Sequence, residues 1–134
     1  MAGFSDYLEN AVLNQIFGSQ AYSAPATIYV GLSSSLPTDS GGNITEPSGN
    51  GYARVAVTNN TTNWPVTSTG SKTNGVPITF ASATGAWGSV SYVVLFDSLT
   101  SGNFLAQGTL STSKSPTAGD VLSYGTGTLT INLD

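Results

Sequence analysis

Helical periodicity occurs once in this chain, at its start, and is absent from the rest. In residues 4–17, FSDYLENAVLNQIF, the apolar residues Phe4, Leu8, Val12 and Ile16 recur every fourth position. Leu13 and Phe17 widen that stripe. Ser5 or Asp6 can cap the N-terminus, Asp6 and Glu9 suit the positive end of the helix dipole, and Gly18 follows as a C-cap. A helix this short is not stable alone in water. Its apolar face must dock, either on the rest of the chain or on a neighbouring subunit.

After Ala24 the pattern is one of strands and turns. Residues 27–33, TIYVGLS, place Ile28, Val30 and Leu32 on one face. Residues 52–58, YARVAVT, place Ala53, Val55 and Val57 on one face and Tyr52, Arg54 and Ala56 on the other. A short apolar run at 76–81 carries Ile78 and Phe80. Residues 89–97, SVSYVVLFD, are apolar on both faces and suit a central strand. The turn Thr100-Ser101-Gly102 leads into 103–111, which predicts a hairpin. Residues 126–133 alternate with Leu129, Ile131 and Leu133 inward, and 121–124 add a short edge strand.

Many short strands without intervening helices predict a mainly β fold. The expected architecture is an antiparallel β-sandwich, jelly-roll or Ig-like, with one short N-terminal helix at about 4–17. A length of 134 residues corresponds to one domain spanning 1–134. The expected core comprises Val30, Val55, Val57, Phe80, Val94, Phe96, Leu105, Leu129 and Ile131. Two long polar segments, 34–51 and 59–75, interrupt the strands. Loops of that length in a compact domain are functional or mobile.

Composition narrows the chemistry. The chain has no cysteine and no histidine, so disulfides, thiolate metal sites and the commonest general base are excluded. Three basic and seven acidic residues give a net charge of −4, without the basic footprint of a nucleic-acid binder. The first residues lack the basic and apolar regions of a secretory signal, and no apolar run is long enough for a membrane span. The expectation is synthesis and retention in a cytosol, or assembly there into something larger. Lys72 and Lys114 lie in turn-rich stretches, and no nucleophile-elbow motif occurs. The carboxylates Asp39, Glu46, Asp97 and Asp120 sit beside Gly, Pro or Ser, where turn chemistry accounts for them. Asp39 and Glu46 could offer oxygen ligands to calcium, but the spacing of a known calcium loop is missing. No catalytic residue, cofactor or metal site is therefore expected.

Three residues stand out. Trp64, in the polar segment TNWPV, can mark a contact or can fold back to plug the end of the sandwich. Trp87 opens the central strand and is expected in the core. Arg54, the only arginine, should pair with a carboxylate or a backbone carbonyl.

The segment 46–64, EPSGNGYARVAVTNNTTNW, belongs to a wider pattern. With FSDYLENAVLNQIFG, APATIYVGLSS, ITFASATGAWGSV and the closing TGTLTINLD, it resembles a family of small virion proteins of tailed bacteriophages. Members usually carry the description tail fibre protein or structural protein. The resemblance runs through nearly the whole chain, in order. It implies a structural role in the virion, assembled in the host cytoplasm, with no catalytic residues to carry over. The short chain leaves no room for a fibre shaft. The expected role is capsid cement or decoration, many copies binding the major capsid protein, with a tail component in host attachment as the alternative. A carbohydrate-binding module is a further alternative, weakened by the scatter of Tyr52, Trp64, Trp87 and Tyr92 over strand and loop. The expected partners are the major capsid protein or other virion proteins and further copies of the chain, as dimer or trimer, with no nucleic acid and no membrane. Candidate contact residues are Phe4 and Leu8 of the helix, Asn43 and Glu46 of the first long loop, Tyr52 and Arg54 after it, and Trp64.

Overall fold

The computed structural model describes residues 3–133. Its elements in chain order are β1 (Gly3–Phe4), α1 (Asp6–Gly18), β2 (Thr27–Ser33), β3 (Val55–Thr58), β4 (Ser71–Thr73), β5 (Ile78–Thr79), β6 (Val90–Phe96), β7 (Phe104–Lys114), β8 (Ser123–Tyr124) and β9 (Thr130–Asn132). The fold is a mainly β, antiparallel sandwich with a short N-terminal helix. One layer is a five-stranded sheet in the order β1-β7-β6-β2-β3. The other consists of two two-stranded ladders, β4-β9 and β5-β8.

The register follows from burial. Ile28, Val30 and Leu32 of β2 face the opposite layer, together with Val93 and Leu95 of β6 and Leu105 of β7. Ile78, Phe80, Trp87 and Leu129 meet them from the other side. β6 is apolar on both faces, as its sequence predicts, because its second face is also covered. Val94 and Phe96 form an outer cluster with Phe104, closed by Tyr29 and Ile44. Ile44 belongs to the 34–51 segment, which lies over that face. The segment also holds the start of α1, where Asp6 donates its N–H to the Asp39 carbonyl at 2.9 Å. It accepts a bond from Gln107 Nε2 on the Pro37 carbonyl at 3.2 Å. The segment thus packs within the chain, because a doubly apolar strand needs a cover on each face.

Most of the expected core is buried, but Val55 and Ile131 are half-buried and pack at its margin. Leu133 is exposed, contrary to the inward pattern, because β9 ends at Asn132 and only the Leu133 N–H is held, by the Gly70 carbonyl. The helix begins later than its apolar stripe suggests. Phe4 lies in β1, paired with Ala106, and Ser5 is the extended N-cap at φ −78° and ψ 159°. Helix residues are nowhere fully buried, so the stripe is only partly docked on the chain.

Candidate interaction surface

Four of the expected contact residues, Asn43, Glu46, Tyr52 and Arg54, are engaged within the chain. Arg54 makes a bidentate pair with Glu46, Nε to Oε1 at 3.0 Å and Nη2 to Oε2 at 2.7 Å. Its Nη1 donates to the carbonyls of Ser98 and Ser101, both at 2.8 Å, so it ties the β6–β7 hairpin to the segment before β3. The guanidinium also lies 3.5 Å over the Phe96 ring. Tyr52 Oη donates to Glu46 Oε1 at 2.7 Å and accepts from the Leu32 N–H at 2.9 Å. Burial, then the bond to Glu46, push the Tyr52 phenol well above the usual tyrosine range.

This network needs the glycine at 31. A Cβ there would stand 2.7 Å from Glu46 Oε1 and 2.9 Å from Tyr52 Oη. With both Glu46 oxygens taken by Arg54 and Tyr52, the carboxylate is a structural acceptor. Asn43 is exposed at φ 60° and donates from Nδ2 to the Leu36 carbonyl, which shapes its own loop.

The other three candidates converge. Phe4, Leu8 and Trp64 line one apolar groove of about 370 Å³, joined by Ile28, Leu105 and Ile131. The groove lies where α1 and β1 meet the β4-β9 ladder. Trp64 is 5% exposed, so it folds back against the core as the plain alternative predicts. Its indole N–H is buried and finds no acceptor among the described residues. Lys72 supplies the one cation of the lining. The distal half of α1 extends the apolar character: Leu13 is 54%, Ile16 64% and Phe17 82% exposed. Val66, next but one to Trp64, is also exposed. A docked polypeptide could bury such a surface and bring a carbonyl to the indole.

Sequence reasoning found the helical stripe and Trp64 but not the wall opposite them. β4 lies inside the segment expected to be a loop, because Ser71-Lys72-Thr73 has no apolar alternation to reveal it. Pairing with β9 orders it: Ser71, Lys72 and Thr73 lie opposite Asn132, Ile131 and Thr130.

The comparison with protein families is specific. A family model described as Podophage GP4 fiber I protein gp80 matches residues 3–132. Among curated proteins nothing matches the chain.

Proposed function

Because the chain belongs to the family of the podophage GP4 fiber I protein gp80, we propose that it is a fibre component of the phage tail, without catalytic activity of its own. A virion structural role follows from the family. The tail position is favoured over capsid cement because the family description names a fibre. The match over residues 3–132 carries this reading. The groove between α1 and the β4-β9 ladder supports it, since a subunit of a larger assembly needs an apolar surface to be held by. Leu13, Ile16 and Phe17 then seat against a neighbouring virion subunit, the same protein or another.

Two measurements test this. Particles carrying a labelled copy of the chain should show the label on the tail by electron microscopy. A label spread over the capsid faces would restore the cement role. The double variant Ile16→Ser with Phe17→Ser should keep its melting temperature, since both side chains are exposed, yet fail to join particles. Normal incorporation would remove the exposed end of α1 from the assembly.

A further inference from the structure

Two Asn-Gly pairs occur in the chain, Asn50-Gly51 and Asn74-Gly75. Such a pair carries latent covalent chemistry, because glycine has no Cβ to shield its amide nitrogen from the preceding carboxamide. The sequence gives both pairs the same reactive groups, so the fold has to distinguish them.

Asn74 is locked. It is 1% exposed. Its Nδ2 donates to the Val76 carbonyl at 2.8 Å and the Gly125 carbonyl at 3.0 Å, and its Oδ1 accepts from the Leu129 N–H at 2.9 Å. The Gly75 N–H is engaged too, donating to the Asn63 carbonyl at 2.6 Å. Nucleophile and leaving group are both held, and the site reacts only when the surrounding structure opens.

Asn50 differs on each count. Asn50 and Gly51 are both exposed. The Gly51 N–H donates to no acceptor among the described residues. The Asn50 carboxamide keeps one bond, from Nδ2 to the Ala86 carbonyl at 3.0 Å. It lies against Gly85, where an added Cβ would stand 2.7 Å from its Cγ. The backbone of Asn50 is left-handed, at φ 53°.

From this contrast we infer that Asn50 is a site of spontaneous deamidation in the folded protein, and that its conversion loosens the turn at 84–87. Hydroxide takes the Gly51 amide proton, and the nitrogen bonds to Asn50 Cγ. The Cγ–Nδ2 bond breaks and the nitrogen leaves as ammonia, with a proton from water. Water then opens the cyclic imide at one of its two carbonyl carbons. Attack at Cγ breaks the new bond and leaves an aspartate. Attack at the main-chain carbonyl carbon breaks its bond to Gly51 and leaves an isoaspartate, with the chain now running through Cβ and Cγ. An aspartate sets a carboxylate oxygen against the Ala86 carbonyl in place of the Nδ2 donor. An isoaspartate also displaces the Asn50 carbonyl, which accepts from the Thr84 N–H and from Trp87 Nε1, both at 2.9 Å. Either product adds one negative charge to a chain whose formal net charge is −4. The site is independent of where in the virion the protein sits.

The test incubates the purified full chain in warm, mildly alkaline buffer, folded and in urea, and follows both pairs by peptide mass spectrometry. In the folded chain Asn50 should gain the mass of an amide-to-acid conversion faster than Asn74 by a factor of about ten or more, since Asn74 must wait for local opening. In urea the two should convert at comparable rates. The acidic form, separated by ion exchange, should melt below the parent. Equal rates at the two sites in the folded chain would overturn the assignment. So would an intact Asn50 there once both sites have converted in urea. An acidic form that melts with the parent would overturn the loosening of the turn.

Discussion

Tyr52 and Glu46 meet over Gly31, and the absence of a side chain there lets a charged network sit between strands. Buried ion pairs add little net stability compared with apolar residues of the same shape. Here the pair acts as a connector, since Arg54 also holds the Ser98 and Ser101 carbonyls of the hairpin turn. The tyrosines give the residue scale a measurable consequence. Burial raises the Tyr124 phenol from its ordinary value of 10.0 to about 12. Burial and the bond to Glu46 raise Tyr52 further. Below pH 10 the folded and unfolded chains both keep these protons, and stability is full. As pH rises past that value the unfolded chain ionises first, so stability falls until the folded-state values are reached. Ultraviolet titration should show Tyr52 and Tyr124 ionising well above pH 10, Tyr124 before Tyr52. Ionisation of Tyr52 or Tyr124 near pH 10 with the fold intact would contradict this.

At the scale of the element, α1 is a helix held at one end. Ser5 is 1% exposed and does three things there. Its N–H donates to the Leu105 carbonyl at 2.8 Å, which continues the β1 pairing. Its hydroxyl donates to the Phe104 carbonyl at 2.5 Å and accepts from the Leu8 N–H at 3.3 Å. The first turn is therefore fixed to β7, while Leu13, Ile16 and Phe17 stand exposed at the other end. Ser5→Ala should cost about 1–2 kcal/mol, the range for a lost cap with a buried acceptor left open. Amide hydrogen exchange would locate the damage: protection should fall throughout 8–18 and persist in β6. Unchanged protection in the helix would mean that its apolar contacts, rather than Ser5, hold it. The periodicity showed that a helix exists and which face is apolar. It placed Phe4 inside the helix because a serine cap and a strand residue share the same spacing with the residues that follow.

For the whole molecule, the second layer is the weaker part, being two short ladders rather than a sheet. Asn74 joins them. It is 1% exposed and lies between β4 and β5. Its Nδ2 donates to the Val76 carbonyl at 2.8 Å and to the Gly125 carbonyl at 3.0 Å. Its Oδ1 accepts from the Leu129 N–H at 2.9 Å, so one side chain links the turn before β5 to the segment between β8 and β9. Asn74→Ala removes all three bonds and leaves the Leu129 N–H without its side-chain acceptor. The expected loss is about 2–4 kcal/mol in urea unfolding, with an unchanged slope. A loss below 0.5 kcal/mol, the scale of an ordinary surface change, would show that the ladders hold together without it.

The sequence by itself determined the mainly β class, the one helix, the inward face of β2, the doubly apolar character of β6, the hairpin at Thr100-Ser101-Gly102 and the resemblance to phage virion proteins, while the expected core residues Val94 and Phe96 proved to face the outer cluster rather than the opposite layer. These are local patterns: period, turn residues and ordered motifs. Tertiary structure decided which polar residues are internal. Ser5 reads as a cap and Asn74 as a linker residue in the chain, yet they are fixed by partners 99 and 55 positions away, and Gly31, inside a strand, is defined by a clearance between strands. β4 exists only because β9 lies beside it. The groove that gathers Phe4, Leu8 and Trp64 likewise arises from three separate segments. Alternation along a strand reports its own two faces, and nothing in it encodes which distant backbone will complete the hydrogen bonds at its edge.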